Sequence, residues 1–559
     1  MRRRSYLWIA LFFFVIGAPF ATAADEAEAS VDAIFAPYAV AGSPGCAVAV
    51  MRAGEIVYTK GYGLASIESN AAITPATVFH VASVSKQFTT FAVVLLAQDG
   101  KLSLEDDIRE YLPELHDFGE TITIRHLINH TSGLRDQWSL LTLAGWRMED
   151  VITLDDIMGL LTRQRELNFG PGNRFLYCNS GYTLLGQIVE RVSGLSLKDF
   201  CAERIFTPLG MARTHFHDDH RHIVPDRAFS YGVKGEGFER VILSYANVGA
   251  TSLFTTVEDM ARWDANFYTG RVGGMASVEA MYEPGRFRDG SPNNYGMGLS
   301  TGTYRGLKTI GHSGGDAGFR SYFLRFPEEE FSVVVLSNLG AMNPGLAAEQ
   351  IADVYLKDRL APMESPEAKT EASDPALRKA LQRYEGIYTW PRGGWSWRVR
   401  AADDGLRIAD IGASSARWVP AGDNAFALKG SDRETRLVFE EDRSGITGAS
   451  FRSQMGWIAP LTKTASRDTS ERYLSELSGE YYSEELDVRY RVQREGKKLV
   501  LGQWKLGDSP LTQNSRDTFS ALTDFGTITI LFTRDARGRV DAMRASTGRV
   551  KGLLFKKVD

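Results

Sequence analysis

Three cysteines in 559 residues are too few for a disulfide framework, and an odd number leaves at least one thiol unpaired. Cys46, Cys178 and Cys201 therefore predict no essential disulfide, and no neighbouring pattern of bases singles one out as a nucleophile. A strong charge of either sign is also lacking. The 64 Lys and Arg stand against 69 Asp and Glu, a net −5, which argues against a nucleic-acid-coating protein. With 19 Pro and 54 Gly the chain is neither collagen-like nor low in complexity. Past the first residues no run approaches the ~20 apolar residues of a bilayer span.

What is present begins with a leader. Met1-Arg2-Arg3-Arg4 is a basic start, Tyr6 to Gly17 is apolar, and Ala21-Thr22-Ala23 offers small residues at a cleavage point. Residues 1–23 read as a signal peptide, so the mature protein is expected to be periplasmic or secreted and without a membrane span. The length suggests about three domains. Residues 24–361 read as mixed helix and strand. Cys46 to Arg52 and Glu55 to Tyr62 form a strand pair around Ala53-Gly54, and Val31 to Val40 a short helix. A helix follows Ser83, with Phe88, Phe91, Ala92, Leu95 and Leu96 on one side. Arg320 to Phe326 and Phe331 to Asn338 make another hairpin, and Gly345 to Leu360 a closing helix. Short turns between neighbouring strands imply an α/β domain with an antiparallel sheet flanked by helices.

The polar, Pro-containing segment 362–375 reads as a linker. Beyond it the chain repeats itself at a constant offset of 93 residues. Gly386 and Tyr388 match Gly479 and Tyr481, Trp397 matches Tyr490, and Leu406 matches Leu499. Phe426 and Phe439 match Phe519 and Phe532; Asp442 and Gly445 match Asp535 and Gly538. Alternating strands with frequent turn signals predict two small antiparallel β-barrels, 376–464 and 470–559, each closing its own core, with packed side chains inside.

Ser83-Val84-Ser85-Lys86 is the one place where Lys follows Ser by three positions. At the start of an apolar helix, Ser83 and Lys86 share a face, and the helix N-terminus offers free N–H groups near the hydroxyl. Drawn into the protein, Lys86 can lose enough charge to take part in proton transfer. Taken alone, the tetrapeptide equally fits an N-capping Ser beside a solvated Lys. Tyr177-Cys178-Asn179 follows a Gly-Pro-Gly turn: Tyr177 can act as a base if a cation lowers its pKa, and Asn179 can bond a substrate amide. Tyr245-Ala246-Asn247 is a rival for this pattern. Gly311-His312-Ser313-Gly314-Gly315 precedes the Arg320 hairpin, and the backbone N–H groups of Ser83 and Gly315 can converge on an oxyanion.

This series resembles the penicillin-recognising serine hydrolases, which carry Ser-x-x-Lys, Tyr-x-Asn and a basic residue-x-Gly in this order. Ala82-Ser83-Val84-Ser85-Lys86-Gln87-Phe88, His130-Thr131-Ser132-Gly133-Leu134, Tyr177-Cys178-Asn179-Ser180-Gly181-Tyr182 and Pro208-Leu209-Gly210-Met211 look like the class C β-lactamase branch. The resemblance covers residues 30 to about 360 and favours Tyr177 over Tyr245. It implies Ser83, Lys86 and Tyr177 as catalytic residues, Asn179, His312 and Gly314 as substrate-binding, and no cofactor or metal. His312 stands where β-lactamases carry Lys, so a substrate carboxylate should be held less strongly. A His-x-Gly third motif followed by two lipocalin-like β-domains resembles the D-aminopeptidase type, in which such barrels pack on the hydrolase domain and help close its site.

The expected function is an exported serine hydrolase acting on small amides, esters or peptides, those with D-amino acids favoured. A carboxylesterase or a weak β-lactamase on the same fold is the near alternative, and a non-catalytic peptidoglycan-fragment binding protein the distant one. Gly311 to Gly315 also fits a Gly-x-Ser-x-Gly elbow, but strand-like sequence follows Ser313 and no His lies downstream, so that reading fails. His215, His217, His220 and His222 cluster with Asp218 and Asp219 without the spacing of a structural zinc site. No nucleic-acid partner is expected, and the sequence leaves the oligomeric state open.

Overall fold

The computed structural model describes residues 23–362, 375–390, 396–410, 416–429, 435–452, 458–464, 467–505, 507–523 and 526–558. The leader expected at 1–23 and the linker expected at 362–375 fall almost wholly outside the described residues.

The hydrolase domain is built on a seven-stranded antiparallel sheet. Strand β1 (Cys46–Arg52) turns into β2 (Glu55–Tyr62) through Ala53 and Gly54, both left-handed at φ 50° and 81°, as a two-residue hairpin requires. The other strands come late in the chain: β3 (Tyr295–Gly296), β4 (Leu299–Tyr304), β5 (Leu307–Asp316), β6 (Phe319–Phe326) and β7 (Phe331–Ser337). Their order across the sheet is β3-β4-β5-β6-β7-β1-β2, with Cys46 opposite Ser337.

Both faces of the sheet are covered, which explains the unbroken apolar run in β1. Val48 and Val50 pack with Val31 of helix α1 (Ala23–Phe35) and with Ile351 of the closing helix Pro344–Tyr355. Ala47, Ala49 and Met51 face the larger core, where helix α2 (Lys86–Gln98) lies. In α2 every residue from Lys86 to Leu96 is buried, so the helix runs through the core instead of along its surface. Burial of Phe88, Phe91, Leu95 and Leu96 contributes about 1.5–3 kcal/mol each, enough to fix a helix whose first residues carry polar groups. Helix α1 starts earlier than the sequence implies and gives way at Ala36–Tyr38 to a 3-10 turn, where Pro37 has no N–H to continue the ladder.

The repeat folds into two closed eight-stranded barrels, running from Gly386–Thr389 to Ile458–Lys463 and from Gly479–Ser483 to Val550–Lys557. Matching residues do matching work. Tyr388 donates to the Tyr384 carbonyl and Tyr481 to the Leu477 carbonyl, 93 residues on in each case. Phe426 and Phe439 meet edge to face with ring centres 5.6 Å apart, as do Phe519 and Phe532. Among the described residues, these aromatic side chains are buried in each copy.

The two copies differ in what they join. The first keeps a core of its own around Leu406, Phe426 and Phe439. The second does not: its Leu499, Phe519 and Phe532 belong to the same apolar cluster as α2. Its Tyr490 is buried and donates to the Leu143 carbonyl at 2.7 Å, in helix α3 (Gln137–Leu143) of the hydrolase domain.

Candidate active site

The start of α2 is prepared by a 3-10 turn over Ala82–Ser85, entered through Ala82 at a left-handed φ of 47°. A non-glycine residue there costs on the order of 1–2 kcal/mol, a strain that the surrounding fold must hold. Of the two serines in the turn, Ser85 is buried, donating to the Ala82 carbonyl and accepting from the Leu253 N–H. Ser83 is half-buried and reachable.

Lys86 is fully buried, and its three donors are all used. It bonds Ser83 Oγ at 3.0 Å, Asn179 Oδ1 at 2.8 Å and the Ala250 carbonyl at 2.6 Å. The solvated-Lys alternative is thereby ruled out. Burial pushes the Lys86 ammonium down to about 7; Asp316 opposes that, Arg549 adds to it, and Asp136 opposes it again. Ser83 thus touches an amine that changes protonation near neutral pH.

Asn179 opens helix α4 (Asn179–Ser193), which places Tyr177 just outside it. The Tyr177 ring centre is 4.9 Å from Lys86 Nζ, and Arg549 stands 5.6 Å over the same ring. These cations do not make it a base at rest: burial pushes the phenol well above its ordinary value, with Ser83 pulling weakly the other way. In the rival Tyr245-Ala246-Asn247, Tyr245–Ala246 forms a short strand paired with Ile152–Thr153. The Tyr245 ring stacks on Trp138, with ring centres 4.7 Å apart.

Strand β5 lies along the Ser83 turn. Gly314 leaves no space for a Cβ, which would meet the Val81 carbonyl, the Ser321 hydroxyl and Ala82. His312 and Asp316 share the inward face with Gly314, whereas Ser313 and Gly315 are exposed on the other side. Ser313 lies mid-strand opposite Tyr322, so the strand-turn-helix elbow is absent. His312 is neutral, burial lowering it to about 3. Its Nδ1–H donates to the Ser313 carbonyl, so Nε2 accepts from the Tyr295 hydroxyl at 2.9 Å.

Several residues of this site carry no motif. Asp136 caps α3 and is fully buried, accepting from the Asn179 N–H at 2.7 Å and from Asn179 Nδ2 at 2.9 Å. Arg549, in the turn between Val540–Thr547 and Val550–Lys557 of the second barrel, donates to its other oxygen at 3.0 Å. Asp316 pairs with His80 at 3.0 Å and accepts from Thr251. The Ala250 carbonyl gives no side-chain signal at all. A signal did exist for Arg549: at the 93-residue offset the first copy has Gly456 there.

His215, His217 and His222 hold their ring centres 5.5–5.9 Å apart, the first two of them against Phe254. No group of ligands able to hold a metal ion occurs among the described residues. Cys46, Cys178 and Cys201 are buried free thiols. No helix among the described residues is long and apolar enough to cross a membrane.

A hydroxyl that can give its proton to a lysine at neutral pH is the working part of a serine acyl-transfer enzyme. Set at the start of a buried helix beside an antiparallel sheet, it defines the penicillin-recognising hydrolases as a class. The chain belongs to the β-lactamase family, whose model, described as Beta-lactamase, matches residues 31–356. It is similar to the D-aminopeptidase of Brucella melitensis, 28% identical over 537 residues that span 92% of this chain and 96% of that protein. The D-aminopeptidase of Gluconobacter oxydans is likewise 28% identical, over 95% of this chain and 98% of its own. Both matches run through the barrels. Among solved structures, the octameric penicillin-binding protein homologue from Pyrococcus abyssi superposes with a TM-score of 0.52 at 24% identity, covering 78% of this chain and 99% of that one. The D-amino acid amidase from Ochrobactrum anthropi SV3 gives 0.51 at 24%, covering 60% and 99%, and these two speak to the fold.

Proposed function

We propose that this chain is an exported hydrolase of D-aminoacyl amides and peptides that works through an ester on Ser83. The observation that carries it is the buried Lys86 amine bonded to Ser83 Oγ and held by Asn179 and Ala250. The substrate class is supported by the D-aminopeptidases matched over nearly the whole chain. The neutral His312 agrees with it, since it provides no fixed cation for a substrate carboxylate.

In this reading neutral Lys86 takes the Ser83 proton as Oγ bonds the substrate carbonyl carbon, and the N–H groups of Ser83 and Gly315 receive the oxyanion. The C–N bond breaks, and the amine leaves with a proton passed from Lys86 through the Tyr177 hydroxyl. Tyr177 acts as a relay, because its phenol is too weak an acid to rest as a base. Water then attacks the ester by the same route and restores Ser83. Asn179 and the strand at His312 and Gly314 line the bound acyl group.

The test is a panel of D- and L-aminoacyl anilides, nitrophenyl esters and a chromogenic cephalosporin, read on wild type and Ser83→Ala. D-aminoacyl anilides should turn over fastest, and Ser83→Ala should lose both turnover and fluorophosphonate labelling. Labelling that persists at Ser313 refutes the Ser83 ester, and a preference for the cephalosporin or esters refutes the substrate class. For export, the protein collected outside the cytoplasm should begin at Ala24; a product still beginning at Met1 overturns leader cleavage.

A further inference from the structure

Arg549 is bound to the hydrolase domain through both polar groups of its backbone. Its N–H bonds Ser139 Oγ at 3.0 Å, and its carbonyl accepts from Asn168 Nδ2 at 3.0 Å. Two residues on, the Lys551 N–H bonds Asn168 Oδ1 at 2.9 Å. Neighbouring Gly548 touches Ser139 so closely that a Cβ would collide with its hydroxyl. From this anchored turn the guanidinium reaches Asp136 and the Tyr177 ring together. A short chain of contacts then leads to the nucleophile: Arg549 to Asp136, Asp136 to Asn179, Asn179 to Lys86, Lys86 to Ser83.

The contrast between the copies points the same way. Three residues of the second barrel that meet the hydrolase domain through charge are Glu485 on Arg135, Arg544 on Glu166, and Arg549. At the 93-residue offset the first copy has Arg392, Phe451 and Gly456. Two of the three reach residues outside the Ser83 chain and serve docking; Arg549 alone among them ends on a carboxylate that orients Asn179.

We propose that Arg549 is a positioning residue for the hydrolytic reaction, supplied across a domain boundary: it fixes the Asp136 carboxylate, and with it the Asn179 amide on which Lys86 rests. This rests on Ser83 being the nucleophile but not on which acyl compound is cleaved. An Asp136 carboxylate without its cation would act on Lys86 unopposed and would stabilise the ammonium over the free amine. Around Lys86 stand the Tyr177 and Tyr182 rings, the Asn179 amide, the Ala250 carbonyl, Cys178, His130, His312 and the carboxylates of Asp136 and Asp316. Arg549 stands beyond that set, over the Tyr177 ring, as the cation that works against a charged Lys86.

The experiment measures the rate of fluorophosphonate labelling at Ser83 against pH for the full chain, so that no substrate need be known. Arg549→Ala should label at least about tenfold more slowly at neutral pH, with its rising limb moved to higher pH. Arg549→Lys keeps the charge and should hold the wild-type limb at a reduced rate. Arg544→Ala, which loosens the same barrel away from Asp136, should leave both rate and limb unchanged. Thermal unfolding verifies that each variant is folded. Wild-type rate and limb in Arg549→Ala overturn the proposal, as does an Arg544→Ala that behaves like it, since docking alone would then explain the effect. A wild-type chain that does not label at Ser83 overturns the nucleophile itself, a distinct result that removes this proposal with it.

Discussion

Asp136→Asn should destabilise the protein by about 3 kcal/mol and move its pH profile toward acid. The carboxylate is fully buried and is met by donors on both oxygens: the Asn179 and Trp138 N–H groups, Asn179 Nδ2 and Arg549. An asparagine offers one acceptor oxygen and turns an NH2 toward another donor, so two charge-assisted bonds are lost at about 1.5–3 kcal/mol each. Leaving Arg549 without its partner adds a penalty, discounted because that side chain is about one-third exposed, and relaxation recovers part of the whole. Asp136 also favours the charged form of Lys86, so its removal lets the Lys86 value fall further. The rising limb of Ser83 labelling should therefore appear at lower pH, the opposite of the shift expected for Arg549→Ala. Urea unfolding followed by tryptophan fluorescence gives the first quantity, and labelling rate against pH gives the second. A loss under about 1 kcal/mol with an unmoved limb would refute the reasoning. So would a limb that moves the same way in both variants, as a generally loosened site would give.

Lys86→Met should abolish labelling and change the pH dependence of stability. The folded value near 7 lies below the ordinary 10.5, so between them the unfolded chain binds the extra proton. Lys86 therefore weighs against the folded state fully below about pH 7, and ever less as pH rises toward the ordinary lysine value. The advantage of Lys86→Met over wild type should shrink by about 1.4 kcal/mol per pH unit across that window, and a constant difference in unfolding free energy would contradict it. Gly314→Ala, with its Cβ against the Val81 carbonyl and Ser321, should lower stability by at least about 2 kcal/mol and stop labelling. Gly315→Ala meets only the Arg320 side chain, from 3.6 Å, and should keep the wild-type melting temperature. Equal melting curves for the two glycine variants would show that strand β5 is free to move off the Ser83 turn.

Much of this was legible because it is local. The β1–β2 hairpin follows from alternation and the Ala53-Gly54 turn, and Ser83 with Lys86 from helical spacing. The barrels follow from a repeat that keeps its offset. Asp136 lies only two residues beyond the His130 to Leu134 motif, yet its task depends on Asn179 and Arg549, which no periodicity links to it. The merged core of the second barrel was missed for a related reason. Patterning shows which strand face is apolar, but Tyr490 fills its place in the barrel and reaches Leu143 outside it with the same side chain. What separates the copies is where they diverge, at Arg549 against Gly456 and Glu485 against Arg392, and the matches alone conceal that.

The pairing of β1 with β7 also bears on the order of events during synthesis. Cys46 finds its partner only at Ser337, so the middle of the sheet cannot close until nearly the whole domain has been made. Contacts this distant in sequence make folding slow, since the loop between them must be ordered before the pairing rewards it. A chain leaving the ribosome would long stay open, with β1 and β2 as a bare hairpin. For a chain exported unfolded, that delay would be useful: the sheet that would jam a translocation channel cannot be completed until Phe331–Ser337 has been made.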